Sequence, residues 1–160
     1  MNTTLTLDDR RPALRNAGAY AAAAWGVLFS LVHVYWLAGG RAGLPNGQSI
    51  FDNAPLLVID VIAIPVSAVA AALALALVRP WGERFARRML LTAAWGATAV
   101  MIVHALPSVV DWAALAVGAK SSGDLTAEER FATFLYEPWF MAGGLLFALA
   151  ALTFQRSRRR

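Results

Sequence analysis

The chain has 160 residues, of which 59% are hydrophobic and only 15% are charged, and its mean hydropathy is +0.55. Soluble domains carry about 25% charged residues, so this composition excludes an ordinary soluble domain and predicts an integral membrane protein. The absence of cysteine excludes disulfides and thiolate metal sites. A net charge of +4 is compatible with nucleic-acid binding, but the positions of the basic residues along the chain indicate a different role for them.

Four apolar segments in this sequence are long enough to cross a bilayer, which requires about 20 residues of helix. They cover residues 17–38, 55–78, 89–110 and 131–154. We therefore predict an all-α membrane protein, a four-transmembrane-helix bundle that forms one integral membrane domain over residues 1–160. Residues 1–16 and 155–160 are predicted to be short cytoplasmic tails.

The basic residues lie mostly on one side of this predicted bundle. Eleven of the 14 lysines and arginines flank the chain ends or the connection between spans two and three. They are Arg10, Arg11, Arg15, Arg79, Arg84, Arg87, Arg88, Arg156, Arg158, Arg159 and Arg160. The positive-inside rule then predicts that both termini are cytoplasmic, with the lipid bilayer and not nucleic acid as the partner of these arginines.

The connections between the spans contain residues that predict where helices begin and how the spans are arranged. Asp52 or Asn53 is placed to cap the second helix, and the short connection at residues 79–84 predicts that spans two and three are antiparallel neighbours. We expect residues 111–119 to form a separate short helix along the membrane surface. Thr126 followed by Glu129 is a capping-box pattern, which predicts the start of the last helix.

Each span carries one ionisable residue: His33, Asp60, His104 and Glu137. All four lie about five or six residues below the outer end of their span, within roughly one helical turn of a common level. Ionisable groups exposed to lipid are unfavourable, so we expect them to face the bundle interior and to share one site in its outer half. Four aromatic residues nearby would form its walls: Tyr35, Trp36, Tyr136 and Trp139. Tyr35 and Trp36 also suit a simple interfacial anchor.

A weak repeat supports a paired arrangement. Residues 23–26 and 93–96 both read Ala-Ala-Trp-Gly, and each is followed by a Val-His pair, at 32–33 and at 103–104. If the match is a duplication, the bundle consists of two helical hairpins that each supply one histidine and one carboxylate.

Several functions fit such a site. Histidine and carboxylate together suit zinc, iron or manganese, and the same groups suit acid–base catalysis on a lipophilic small molecule. His33 and His104 are also candidate axial ligands of a haem. The alternative is a non-catalytic accessory or structural subunit, in which the polar layer fixes helix packing, and a homo-oligomer is compatible with any of these. Whether the protein is an enzyme stays open.

The stretch from His33 to Pro45 carries a family resemblance. Its histidine, the Tyr35-Trp36 pair, Gly39-Gly40 and Gly43-Leu44 resemble the opening signature of a bacterial family of small membrane proteins known as domain of unknown function 3995. The resemblance implies a membrane bundle of about four spans. It implies no activity, so the functional interpretation depends on the residues themselves.

Overall fold

The computed structural model describes residues 7–157, and it describes side chains from residue 16 onward. Arg158, Arg159 and Arg160 lie outside this range, as do the side chains of Arg10, Arg11 and Arg15, so the predicted tails are described only in part. The helices are α1 at Leu7–Leu37, α2 at Ala54–Ala76, α3 at Arg87–Ala116 and α4 at Ala127–Arg156. Helix α4 contains a π-helical turn at Ala132–Tyr136.

Each of these helices contains a segment that is long and apolar enough to cross a membrane. The segments are Asn16–Leu37, Ala54–Ala76, Arg87–Ala116 and Ala127–Arg156. The part of the chain that the structure describes contains no strand. The prediction of an all-α membrane protein with a four-helix bundle is therefore confirmed.

Two helix starts agree with the sequence signals. The Asn53 side chain accepts a hydrogen bond from the Leu56 backbone N–H at 3.2 Å and so caps α2. Thr126 and Glu129 form a reciprocal capping box at the start of α4, with hydrogen bonds of 2.7 Å and 3.2 Å. These caps satisfy backbone donors that no helical partner can reach.

The end of α3 corrects the expected interfacial helix at 111–119. Helix α3 runs through Pro107 to Ala116, so residues 111–116 are its last turns and not a separate element. Two contacts hold this end in place: the Trp112 indole donates to the Thr133 carbonyl at 2.6 Å, and Lys120 binds Asp111 at 2.9 Å. A proline removes one helical hydrogen bond, and neighbouring contacts can compensate for that loss.

The helices pack in the order α2, α1, α4, α3. Helix α1 lies against both α2 and α4, and α4 lies against α3, whereas α2 and α3 share few contacts. The expectation that spans two and three pack as neighbours is therefore corrected. A short connection, here the 3₁₀ turn Pro80–Arg84, limits the distance between two helix ends but does not determine which faces pack.

Small residues allow the helix axes to approach closely. A Cβ atom at Gly26 would lie 2.9 Å from the Ser67 carbonyl oxygen of α2, and one at Gly143 would lie 2.5 Å from the Trp25 ring of α1. Gly143 and Gly144 are both buried, as is typical of small residues at a close contact between membrane helices.

The two halves of the repeat have different environments. Trp25 is 5% exposed and stacks on aromatic rings of α4, whereas Trp95 is 38% exposed. Gly26 lies at a close helix contact, but nothing lies within 4 Å of a Cβ atom at Gly96. The chain does form two hairpins, α1 with α2 and α3 with α4, and the hypothesis of a duplication stays a prediction.

Candidate functional site: two histidine–carboxylate pairs

His33 is buried on α1, with 5% of its surface exposed. Its Nδ1 lies 2.8 Å from the Phe29 carbonyl oxygen one turn earlier. A carbonyl can only accept a hydrogen bond, so Nδ1 carries the proton in this contact. In the neutral ring, Nε2 is then left with a free lone pair, which makes it the basic atom of this residue.

Asp60 on α2 is the most deeply buried carboxylate of the described residues, with 3% of its surface exposed. Neither carboxylate oxygen has a hydrogen-bond partner in the part of the chain that the structure describes. His33 of the neighbouring helix α1 lies near it, but beyond the 4.0 Å of a direct ion pair. Burial of an ionised carboxylate without a partner is costly.

His104 and Glu137 form the second pair, between α3 and α4. His104 Nε2 lies 3.8 Å from Glu137 Oε1, which is longer than a direct hydrogen bond. The His104 side chain is 52% exposed and that of Glu137 is 12% exposed, and Glu137 Oε2 is buried without a partner. One atom placed beside the gap, about 2.8 Å from each group, could form a hydrogen bond to both. This pair is therefore reachable from outside the bundle, whereas His33 and Asp60 are not.

Aromatic rings lie between the two histidines. The His33 ring packs on Phe29 at 4.4 Å and the His104 ring packs on Phe140 at 4.1 Å, both measured between centroids. Phe29 and Phe140 in turn meet edge to face at 5.3 Å. Each histidine thus belongs to its own pair. The four ionisable side chains that were expected in one site are arranged as two pairs.

The four predicted wall residues have different roles. The Tyr35 hydroxyl accepts a hydrogen bond from the Ala42 backbone N–H at 3.3 Å, so this half-exposed side chain contacts the following loop. Trp36 also binds that loop, through an indole hydrogen bond to the Ala42 carbonyl at 2.8 Å, but its ring packs on His33 at 5.0 Å. Trp36 is therefore in direct contact with His33, and its role as a wall of a site stays a prediction.

Tyr136 and Trp139 come from α4 on either side of Glu137. The Tyr136 hydroxyl donates to the Gly43 carbonyl, which ties α4 to the loop after α1. The Trp139 ring stacks on Trp25 at 5.9 Å, and its buried Nε1 has no hydrogen-bond partner among the described residues. The buried atoms without a partner are therefore concentrated at the predicted residues: Asp60, Glu137 and Trp139. A fourth such residue, Arg87, lies at the other end of α3.

The π-helical turn Ala132–Tyr136 determines the position of Glu137. Its N–H bonds to the Ala132 carbonyl five residues earlier, and Pro138 has no N–H to continue this pattern to Thr133. The Thr133 carbonyl accepts the Trp112 indole instead. The sequence analysis did not predict this turn. Single π-turns are frequent at functional sites.

The residues that the sequence analysis missed are Trp25, Phe29 and Phe140. Trp25, Phe29 and His33 follow each other at intervals of four residues, which places them on one face of α1. That spacing was visible in the sequence and could have identified the aromatic environment of His33. Phe140 carries a similar signal, since it lies three residues after Glu137 on α4.

A metal centre of three or more ligands is not formed by the described residues. No group of three or more His, Cys, Asp or Glu side chains among them could hold a metal ion. Binding of zinc, iron or manganese by one pair alone, and haem between His33 and His104, stay predictions.

Comparison with known proteins identifies a family but no activity. No curated protein and no solved structure matches the chain significantly. A family model described as "Protein of unknown function (DUF3995)" matches residues 26–147, which include all four ionisable span residues. The chain belongs to this family.

Proposed function

We propose that this protein binds a lipophilic small molecule from the bilayer and performs acid–base chemistry on it at His104 and Glu137. The single observation that carries the proposal is the environment of this pair. A half-exposed imidazole in a membrane-spanning helix lies 3.8 Å from a carboxylate whose other oxygen has no partner among the described residues. An ionisable residue inside a membrane span is by default a candidate for a functional site.

The chemistry follows from the two groups. Proton transfer in both directions requires one group that accepts a proton and one that donates it. A guest atom that lies beside the 3.8 Å gap between Glu137 Oε1 and His104 Nε2 could contact both, because a position about 2.8 Å from each of them exists off the line that joins them. Phe140 supplies an apolar surface against His104 at 4.1 Å, which suits a lipophilic guest.

The proposed location is a bacterial plasma membrane, with both termini in the cytoplasm and the site in the outer half. The excess of arginine at the chain ends and at residues 79–88 supports this orientation. The loops near Asn46 and Ser122 would then face outward.

A second candidate function is a structural or accessory role, and the inner pair favours it. His33 and Asp60 are both nearly inaccessible. The neighbouring polar groups also join helices: the Ser30 hydroxyl of α1 donates to the Ile64 carbonyl of α2 at 3.3 Å. A polar layer of this kind can specify which helices pack together.

Labelling with two carbodiimide reagents distinguishes the acid–base function from the structural one. Dicyclohexylcarbodiimide is lipophilic and modifies protonated carboxyls that are reachable from the bilayer, whereas a water-soluble carbodiimide reaches only aqueous carboxyls. We expect the lipophilic reagent to modify Glu137 and to leave Asp60 unmodified, as measured by mass spectrometry of the purified protein. Asp60 serves as the matched control because it lies in the same protein at a similar depth.

The role of His104 is tested with the same reaction. The His104→Gln variant should change the pH profile of Glu137 modification, while His33→Gln should leave it as in the wild type. Failure of the lipophilic reagent to modify Glu137 would show that this carboxyl is not reachable from the bilayer. Equal effects of His104→Gln and His33→Gln on the pH profile of the modification would favour the structural role.

A further inference from the structure

A second candidate site lies at the opposite end of the bundle. A cavity of about 650 Å³ opens where α1 enters its span and α4 ends. Asn16, the segment that follows α2, the first turns of α3 and the last turns of α4 form its lining. Spans begin or end at Asn16, Ala76, Arg87 and Arg156. The cavity therefore lies at the level where the helices leave the bilayer.

The lining changes from apolar to polar toward this boundary. The buried floor consists of small or aliphatic side chains: Ala19, Ala76, Leu90 and Ala150. Asn16, Arg79, Glu83 and Ser157 line the polar part. A guest that fits both parts must be an amphiphile, with a polar headgroup and an apolar portion.

Two arginines and one glutamate line the cavity, so the charge of its lining is positive. Arg79 lies over the Tyr20 ring, with its guanidinium carbon 5.6 Å from the ring centroid. Arg87 donates from Nη2 to the Phe154 and Gln155 carbonyls at 2.9 Å each, and its Nε is buried without a partner in the described residues. Both guanidinium groups are thus held by other contacts, and the planar donor fork of arginine matches phosphate oxygens.

We propose that this cavity binds the headgroup and upper acyl region of an anionic phospholipid. Arg79 and Arg87 would contact the phosphate, and the apolar floor would cover the first acyl carbons. The volume is within the range of small-molecule sites and far exceeds that of a phosphate ion. Basic pockets between membrane helices are known to bind lipid headgroups. This inference does not depend on the function proposed for His104 and Glu137.

The experiment uses the purified full-length protein in a neutral detergent. Its thermal unfolding midpoint is measured during titration with three probes: short-chain phosphatidylglycerol, phosphatidylcholine with the same chains, and inorganic phosphate. A ligand that binds only the folded state raises the midpoint as its concentration rises. We expect phosphatidylglycerol to raise the midpoint at concentrations where the other two probes have no effect.

Two variants locate the effect. Arg79→Gln removes an exposed lining arginine, and Arg84→Gln removes an exposed arginine of the same connection that does not line the cavity. Arg87 is left in place because it binds the end of α4. We expect Arg79→Gln to weaken the apparent affinity for phosphatidylglycerol about fivefold, the usual effect of one arginine near anionic lipid, and Arg84→Gln to bind as the wild type does.

Three results would overturn the proposal. Equal stabilisation by phosphatidylcholine would show that the headgroup charge is not recognised. Equal stabilisation by inorganic phosphate would show that the cavity binds a soluble anion and not a lipid. Equal losses in the Arg79→Gln and Arg84→Gln variants would show a general effect of surface charge and not a site.

Discussion

Phe29 and Phe140 meet edge to face at 5.3 Å between ring centroids, and each packs on a different histidine. The contact divides the polar layer of the bundle into two pairs with unequal access. His33 and Asp60 are enclosed, whereas half of the His104 side chain is exposed. Any chemistry on a molecule from the bilayer would therefore occur at His104 and Glu137.

The close contact between α1 and α2 gives the first prediction. Gly26→Ala places a methyl group 2.9 Å from the Ser67 carbonyl oxygen, a backbone atom that cannot rotate away. We expect the free energy of unfolding to fall by about 1 to 3 kcal/mol, as in other overpacked cores. The measurement is unfolding in mixed micelles of detergent and sodium dodecyl sulfate.

Gly96→Ala is the matched control for this change. Gly96 occupies the equivalent position of the repeat, and nothing lies within 4 Å of its added methyl group. Since alanine favours a helix over glycine by up to about 1 kcal/mol, this variant should be neutral or more stable. Equal destabilisation by both substitutions would refute the packing difference between the two halves.

The second prediction concerns membrane orientation. The chain contains no cysteine, so a single cysteine introduced at Asn46 or at Ser122 is the only residue of the protein that a thiol reagent can label. We expect both to react with an impermeant thiol reagent in intact cells, and a cysteine in a terminal tail to react only after lysis. Labelling of the tail cysteine in intact cells would show that the orientation is the reverse of the predicted one.

The third prediction concerns cofactors. A metal that binds His104 and Glu137 would raise the unfolding midpoint of the wild type as its concentration rises, and zinc, iron and manganese are the ions to test. Because no group of three or more ligands is present among residues 16–157, we expect no such rise below millimolar metal.

The haem hypothesis is tested by absorption. Ligation by both histidines would produce a strong Soret band that is lost in His33→Ala and in His104→Ala. The aromatic contact between Phe29 and Phe140 leads us to expect colourless protein from haem-replete cells. A Soret band that depends on both histidines would show that the rings move apart to admit the cofactor.

The sequence predicted those parts of the fold that depend on local composition. Span number follows from the length of the apolar segments, and the α2 and α4 starts follow from side-chain caps at Asn53 and Thr126. It did not predict that α3 continues beyond residue 110 to Ala116, nor the π-turn before Glu137. These two regions contact each other through Trp112 and Thr133, residues that lie 21 positions apart in the sequence.

An expected depth for each site residue can be read from the sequence, but the direction of its side chain cannot. Counting residues from a span end gives the level of His33 or Glu137 in the bilayer, because the helix rise is constant. It does not give the direction in which each side chain points. That direction depends on how the helices pack against one another. The four ionisable residues were therefore expected in one site, whereas the structure arranges them as two pairs.

The most direct test of this account is a set of double-mutant cycles on the free energy of unfolding in mixed micelles. His104→Gln and Glu137→Gln should be coupled by about 0.6 to 1.7 kcal/mol, the range for polar contacts between membrane helices. His33→Gln and Glu137→Gln should be additive within about 0.3 to 0.5 kcal/mol, as expected for separate sites. Additivity between His104 and Glu137, or coupling between His33 and Glu137 as large as theirs, would contradict the division into two pairs.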